Sequence, residues 1–96
     1  MTDPVRAALG ELRGLIDEVD AELVTLLGRR FGYTDRVGQL KREHDLPFYD
    51  AEREASQRER LRALALQQGV PPQLVADLHS HITEVVVARH RSDQSS

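Results

Sequence analysis

Positively charged side chains occupy positions where the helical pattern of this sequence predicts apolar ones. Arg30 interrupts a seam of apolar residues spaced alternately three and four apart, and Lys41, eleven residues later, projects from the same side of the predicted helix. A buried cation without an anionic partner is strongly unfavourable. The two residues therefore predict either a helix face turned to water or an anion that binds there.

The second predicted helix is also charged where its core-facing side should be apolar. Glu54 lies seven residues before Leu61, and Arg53 directly precedes Glu54. Arg13 adjoins the seam of the first helix, and His90 ends the apolar stripe of the third. Several inward-facing cations with a single carboxylate among them predict an enclosed anionic ligand.

Each of these residues also has an ordinary structural explanation. Arg13 can form a surface pair with Asp17 one turn later, and Asp50 can cap the helix that follows it. His90 can be a solvated histidine at a helix end, and Lys41 can lie along the surface with its ammonium group in water. Arg30 is the hardest to explain in this way, because the seam continues on both sides of it.

Other kinds of catalytic site fit the sequence poorly. His79 and His81 are two residues apart and project about 200° from each other on a helix, so they cannot chelate one metal ion together. The sequence has no cysteine, Ser56 and Ser80 lie in no nucleophile motif, and no glycine-rich loop follows a strand. The pattern predicts positioned cations without a nucleophile, a metal or a cofactor.

The composition restricts the possible partners of the chain. It has 96 residues, a net charge of −3 and 40% hydrophobic residues, which predict a single globular domain and argue against general nucleic-acid binding. No apolar run approaches the roughly 20 residues of a membrane span, and the N-terminus has no signal-peptide pattern. We therefore expect a cytoplasmic protein that binds neither nucleic acid nor a membrane.

Apolar periodicity and capping residues predict an all-α fold of three helices. Asp3 and Pro4 suit the start of the first helix, Asp50 suits the N-cap of the second, and Gly69 suits its C-terminal cap. No segment shows the alternation of a strand. The predicted helices cover residues 4–43, 51–68 and 73–91, and residues 92–96 are predicted to form a frayed tail.

The first helix is too long for a compact monomer. About 38 residues at 1.5 Å each span about 57 Å. A compact domain of this size has a radius of gyration of only about 13 Å. Two shorter helices cannot cover a seam of that length, so we predict an intertwined homodimer. The pairs Gly10/Gly14 and Gly28/Gly32 are predicted to permit close approach of helices, although they weaken the helix that contains them.

This chain resembles the all-helical chorismate mutases in three stretches, "LRGLIDEVDAELVTLLGRR", Val37-Gly38-x-x-Lys41 and "DAERE". The spacing agrees without a gap from Arg13 through Glu54. The resemblance implies three helices per chain in an interlocked dimer with two equivalent active sites. It also implies the rearrangement of chorismate, a small dianion, to prephenate, which feeds phenylalanine and tyrosine synthesis.

The resemblance implies that cations hold the substrate in its reactive shape. A Claisen rearrangement is intramolecular and concerted, so it needs neither a nucleophile nor a general acid. Arg30 and the partner chain's Arg13 would clamp the two substrate carboxylates. Lys41 would donate to one carboxylate and to the ether oxygen, where negative charge builds in the transition state.

The other end of the implied site binds the ring. Glu54 would accept from the ring hydroxyl, and the backbone near Asp50, with Arg53, would complete that end. His90 stands where the family commonly has a glutamine that donates to the ether oxygen, and Val86 stands where some relatives have a serine. If the register of the third helix shifts, the neighbouring arginine would take the place of His90.

Three alternative functions fit the same residues. A related scaffold cleaves isochorismate to salicylate and pyruvate, but Glu54 favours the mutase over that lyase. A mutase for 4-amino-4-deoxychorismate would carry an amine in place of the ring hydroxyl, and Glu54 can accept from either group. The third alternative is a non-enzymatic helical dimer that serves as an interaction module.

Overall fold

Three α-helices make up this chain. The computed structural model describes residues 3–95, and their side chains up to Ser92. The helices are α1 (Pro4–Glu43), α2 (Ala51–Gln68) and α3 (Pro72–Ser95). No strand occurs in the described residues. The predicted all-α class, with one very long N-terminal helix and two shorter helices, is confirmed.

Both ends of α2 are fixed by residues with the expected chemistry. Asp50 has an extended backbone, and its side chain accepts a hydrogen bond from the N–H of Arg53 at 3.1 Å. Gly69 ends the helix with a φ of 69°, a region that favours glycine. The N–H of Val70 then donates to the carbonyl of Ala65 at 2.9 Å. These bonds satisfy backbone groups that a helix end otherwise leaves unpaired.

The third helix is longer than its sequence pattern predicts. It begins at Pro72 and continues to Ser95, whereas the sequence pattern predicts a helix over residues 73–91. No glycine or proline interrupts this segment, and polar side chains alone do not end a helix that is already formed. Residue 96, the last of the predicted tail, lies outside the described residues.

The end of α1 and the loop after it are held together by backbone bonds. Asp45 has a φ of 55°, which reverses the chain just after the helix. The N–H of Leu46 then donates to the carbonyl of Lys41 at 2.8 Å. Pro47 follows and disfavours any further helix. The loop at residues 44–50 therefore starts in a defined direction from the last turn of α1.

The chain divides into two compact units, with the boundary between Tyr33 and Thr34. The first unit contains the N-terminal part of α1, in which every side chain described up to Leu26 is exposed. The second unit contains the last turns of α1, the loop, α2 and α3, and α2 packs on α3. All the buried residues among those described lie in the second unit, namely Gly38, Ala65, His79 and His90.

The apolar seam of α1 lies in water in the single chain. Its six leading residues are 45 to 58% exposed, namely Leu9, Leu12, Ile16, Val19, Leu23 and Leu26. Among the described residues, Ala65 alone is a buried hydrophobic residue. Burial of large apolar side chains is the main favourable contribution to folding. The single chain therefore leaves the apolar seam of its longest helix uncovered.

Candidate active site

Lys41 connects the last turns of α1 to the loop that follows. Its side chain is half-buried, and Nζ donates a hydrogen bond to the backbone carbonyl of Phe48 at 2.9 Å. An ammonium group has three N–H donors. Lys41 therefore retains two donors for a ligand while it holds the loop.

His90 is buried against the same loop and the same helix. It is 6% exposed, and its ring lies 5.1 Å from the ring of Phe48, centroid to centroid, at an interplanar angle of 34°. Nε2 lies 3.1 Å from the backbone carbonyl oxygen of Thr34 on α1. A carbonyl oxygen only accepts, so Nε2 carries the proton of this hydrogen bond. The structure thus brings His90 and Lys41 together around Phe48.

An ion pair one residue earlier fixes the same part of α3. Arg89 donates to both carboxylate oxygens of Asp35, at 3.0 and 3.4 Å. Both side chains are about half exposed, 45% and 48%, so the pair contributes at most about 1 kcal/mol. Its main effect is geometric, because it places residues 89 and 90 of α3 beside residues 34 and 35 of α1.

The first turn of α2 carries three of the predicted site residues. Asp50 caps the helix through its side chain, as its ordinary structural explanation requires. The side chain of Arg53 is exposed, and that of Glu54 is half-buried. A carboxylate in the first turn also lies near the positive end of the helix dipole. This turn comes directly after the loop that Lys41 and His90 contact.

The two arginines predicted to bind carboxylates lie on the N-terminal unit. Arg13 is exposed, and Arg30 is half-buried on α1. The five other predicted residues belong to the second unit, namely Lys41, Asp50, Arg53, Glu54 and His90. The structure connects Lys41 and His90 through Phe48, whereas the two arginines lie on the N-terminal part of α1.

Sequence reasoning missed Phe48 and Gly38. Phe48 contacts both Lys41 and His90, and it is one of only two phenylalanines in the chain, a signal that could have drawn attention to it. Gly38 is buried and faces the His90 ring. In the sequence Gly38 stands only as part of the stretch Val37-Gly38-x-x-Lys41, and no local pattern indicates the His90 ring, which is 52 positions away.

In the described part of the chain, no three histidine, cysteine, aspartate or glutamate side chains lie close enough together to hold a metal ion. No helix in residues 3–95 combines the length and apolar character that a membrane crossing requires.

Comparison with known proteins gives the family. The family model for chorismate mutase type II matches residues 12–91, a range that includes all seven predicted site residues. The chain belongs to this family.

Two relatives support this assignment. A T-protein of Enterobacter agglomerans is 43% identical over 72 residues, which are 75% of this chain and 19% of that protein. A T-protein of Haemophilus influenzae is 37% identical over 71 residues, which are 74% of this chain and 19% of that protein. The chain therefore spans about a fifth of the length of the curated relatives that it matches.

Proposed function

We propose that this chain is a chorismate mutase, an isomerase that converts chorismate to prephenate in aromatic amino-acid biosynthesis. The observation that carries the proposal is the family match, because it covers every residue that the sequence pattern selects as inward-facing and charged. The reaction is intramolecular, so the protein has to fix the substrate's geometry and stabilise charge on the ether oxygen. Positioned cations are sufficient for both tasks.

Each candidate residue receives a role that its chemistry supports. Arg30 binds a substrate carboxylate through a planar guanidinium with several donors. Lys41 uses its remaining donors for a carboxylate and the ether oxygen. Glu54 accepts from the ring hydroxyl, and Arg53, beside the backbone at Asp50, binds the same end of the substrate. His90 donates to the ether oxygen.

The active form in this proposal is an intertwined homodimer. The exposed seam of α1 supports it, because a second copy of the same helix supplies an apolar face of equal length. An added Cβ at Gly10, Gly14, Gly28 or Gly32 meets nothing within 4 Å in the single chain, so this side of α1 is open to a segment of the partner. In the dimer, Arg13 reaches the active site of the partner and binds the second carboxylate.

The partner of this protein, besides its own second copy, is then a small dissolved dianion. We propose neither a nucleic acid nor a membrane as a partner, and the net charge of −3 supports the first of these exclusions. We propose the cytoplasm as its location, because the proposed substrate is a small dissolved metabolite.

Product analysis tests the proposal and separates it from its alternatives. Purified protein is incubated separately with chorismate, isochorismate and 4-amino-4-deoxychorismate, and the products are identified by mass. Formation of prephenate from chorismate as the fastest reaction is the expected result. Faster formation of salicylate and pyruvate, or of the amino analogue of prephenate, assigns the chain to a different substrate. No turnover of any of the three leaves the non-enzymatic dimer.

A further inference from the structure

We propose that Gly38 is a positioning residue that seats His90 in a single tautomer, in which Nδ1 is the only ring nitrogen available to a substrate. This inference rests on the proposed function for its catalytic consequence. Its structural part, the seat and the tautomer, stands independently of any activity.

The seat of His90 is the surface formed by Gly38, the Thr34 carbonyl and the Phe48 ring. It exists because residue 38 has no side chain. An ideal Cβ built on Gly38 would lie 2.5 Å from Nε2 of His90, 2.6 Å from Cδ2 and 3.3 Å from Cε1. Real Cβ atoms do not approach ring atoms so closely, so any other residue at position 38 would displace the imidazole. The ring cannot yield easily, since it is 6% exposed and contacts Phe48 on another side.

The backbone beneath the ring determines where its proton lies. Nε2 is 3.1 Å from the carbonyl oxygen of Thr34, one turn before Gly38 on the same helix. This oxygen has two lone pairs, so it can accept from the imidazole as well as from a helical N–H. A neutral His90 in this seat therefore holds its proton on Nε2, and Nδ1 has a lone pair.

Charged groups around the seat are already engaged. On α1, Asp35 is paired with Arg89 of α3, and the ammonium of Lys41 is bonded to the Phe48 carbonyl. From the loop, the side chain that contacts the His90 ring is the uncharged ring of Phe48. The proton on His90 is therefore directed by the Thr34 carbonyl rather than by a carboxylate bonded to the ring.

The seat has a consequence for the ether oxygen of the substrate. A neutral His90 would present the Nδ1 lone pair to an oxygen that becomes more negative in the transition state, which is unfavourable. Protonation adds a donor at Nδ1 while the bond to Thr34 is kept. His90 in this seat thus donates to the substrate only as imidazolium, so its contribution to the rate should be larger at lower pH.

Nuclear magnetic resonance tests the tautomer directly in the wild-type protein. Long-range correlation spectra between ring protons and ring nitrogens distinguish protonated from unprotonated nitrogens, and the loss of one set of signals in His90→Gln assigns His90 among the four histidines. At a pH where the ring is neutral we expect the proton on Nε2. A proton on Nδ1, or an even mixture of the tautomers, would overturn the inference without affecting the proposed function.

A double-mutant cycle tests the role of Gly38. We expect Gly38→Ala to lower kcat at least tenfold, to change KM less than threefold and to flatten the pH–rate profile. In the His90→Ala background, where the added methyl group has space, Gly38→Ala should change kcat less than twofold. An equal loss in both backgrounds would mean that Gly38 acts on the helix alone, and the inference would fail.

The same cycle has a readout that requires no catalysis. The urea midpoint of unfolding should fall on Gly38→Ala in the wild-type background, and should stay unchanged or rise in the His90→Ala background, because alanine favours the helix once the clash is absent. If the chain proves inactive with chorismate, this sign change and the tautomer still decide the inference. A midpoint lowered equally in both backgrounds would contradict it.

Discussion

At the scale of single residues, the seven candidate positions separate into side chains with a structural bond and side chains without a described one. Asp50 caps α2, Lys41 holds the loop through Phe48, and His90 is bonded to Thr34. A structural bond does not exclude a catalytic role, because an ammonium keeps two further donors and an imidazole keeps one ring nitrogen. Such bonds instead pre-organise the side chain, which is how enzymes stabilise a transition state selectively.

Replacement of Arg30 tests whether the cation in the seam binds substrate. We expect Arg30→Ala to lower kcat/KM for chorismate at least 100-fold, about 3 kcal/mol, because a charge-assisted contact to a carboxylate is lost. Arg29 offers a matched control, since it is adjacent, exposed and turned by about 100° around the helix. Arg29→Ala should change kcat/KM less than threefold. Similar losses in the two variants would indicate a general electrostatic effect.

The pH–rate profile tests His90 as the donor to the ether oxygen. We expect the wild-type rate to rise as pH falls, because only the protonated ring donates from Nδ1. His90→Gln should give a flat profile with substantial activity, because an amide donates at every pH. His81 is exposed on the same helix, with its Nδ1 3.8 Å from Oε2 of Glu84. His81→Gln therefore serves as the control and should keep the wild-type slope of rate against pH. A wild-type slope in His90→Gln would remove His90 from the reaction.

At the scale of helices, the features that can be predicted from the sequence are those that depend on residues close together in the chain. The seam of α1, the cap at Asp50 and the turn at Gly69 depend on residues close together in the chain, and the structure contains all three elements. The contact of His90 with Gly38 and Phe48 depends on how α3 is rotated against α1, which no local pattern specifies. The extension of α3 to Ser95 was missed because its polar composition suggests a tail, whereas helix propagation needs only the absence of a breaker.

The turn between α2 and α3 can be tested through Gly69. We expect Gly69→Ala to lower the free energy of unfolding by about 1 kcal/mol, since an L-residue other than glycine is strained at a φ of 69°. Gly69→Asn should recover a large part of this loss, because asparagine tolerates the left-handed region. Urea denaturation of both variants provides the measurement. Equal stability of wild type and Gly69→Ala would show that the turn adopts another conformation in solution.

At the scale of the whole molecule, the exposed apolar seam of α1 is the main reason to propose a dimer. Six large apolar side chains at a helical spacing cannot remain in water along one helix without a strong tendency to associate. The glycine pairs lie on a different side of α1 from this seam, at 100° per residue. The same partner helix therefore cannot cover the seam and contact the glycines, so the dimer proposal requires different elements at the two faces.

Charge placed in the seam tests the dimer. We expect Val19→Asp to convert the dimer to monomer at micromolar concentration in sedimentation experiments, because it removes about 2 kcal/mol of burial per chain and introduces a charge. Val24 is a matched control on the same helix, 67% exposed and about 140° from Val19 around the axis. Val24→Asp should remain dimeric. A wild-type protein that sediments as a monomer would contradict the assembly itself.

The proposed active site needs residues from two chains, and mixed dimers test this most directly. Arg13→Ala and Arg30→Ala proteins should each be inactive alone, but subunit exchange should produce heterodimers with one intact site, and the mixture should reach about a quarter of wild-type activity. Exchange is verified by native mass spectrometry, and the Arg13→Ala protein mixed with the Arg13→Ala/Arg30→Ala double variant, which cannot form an intact site, provides the background. Recovery above that background is the result that we predict. Verified heterodimers that remain inactive would contradict a chorismate site shared between two copies of this chain.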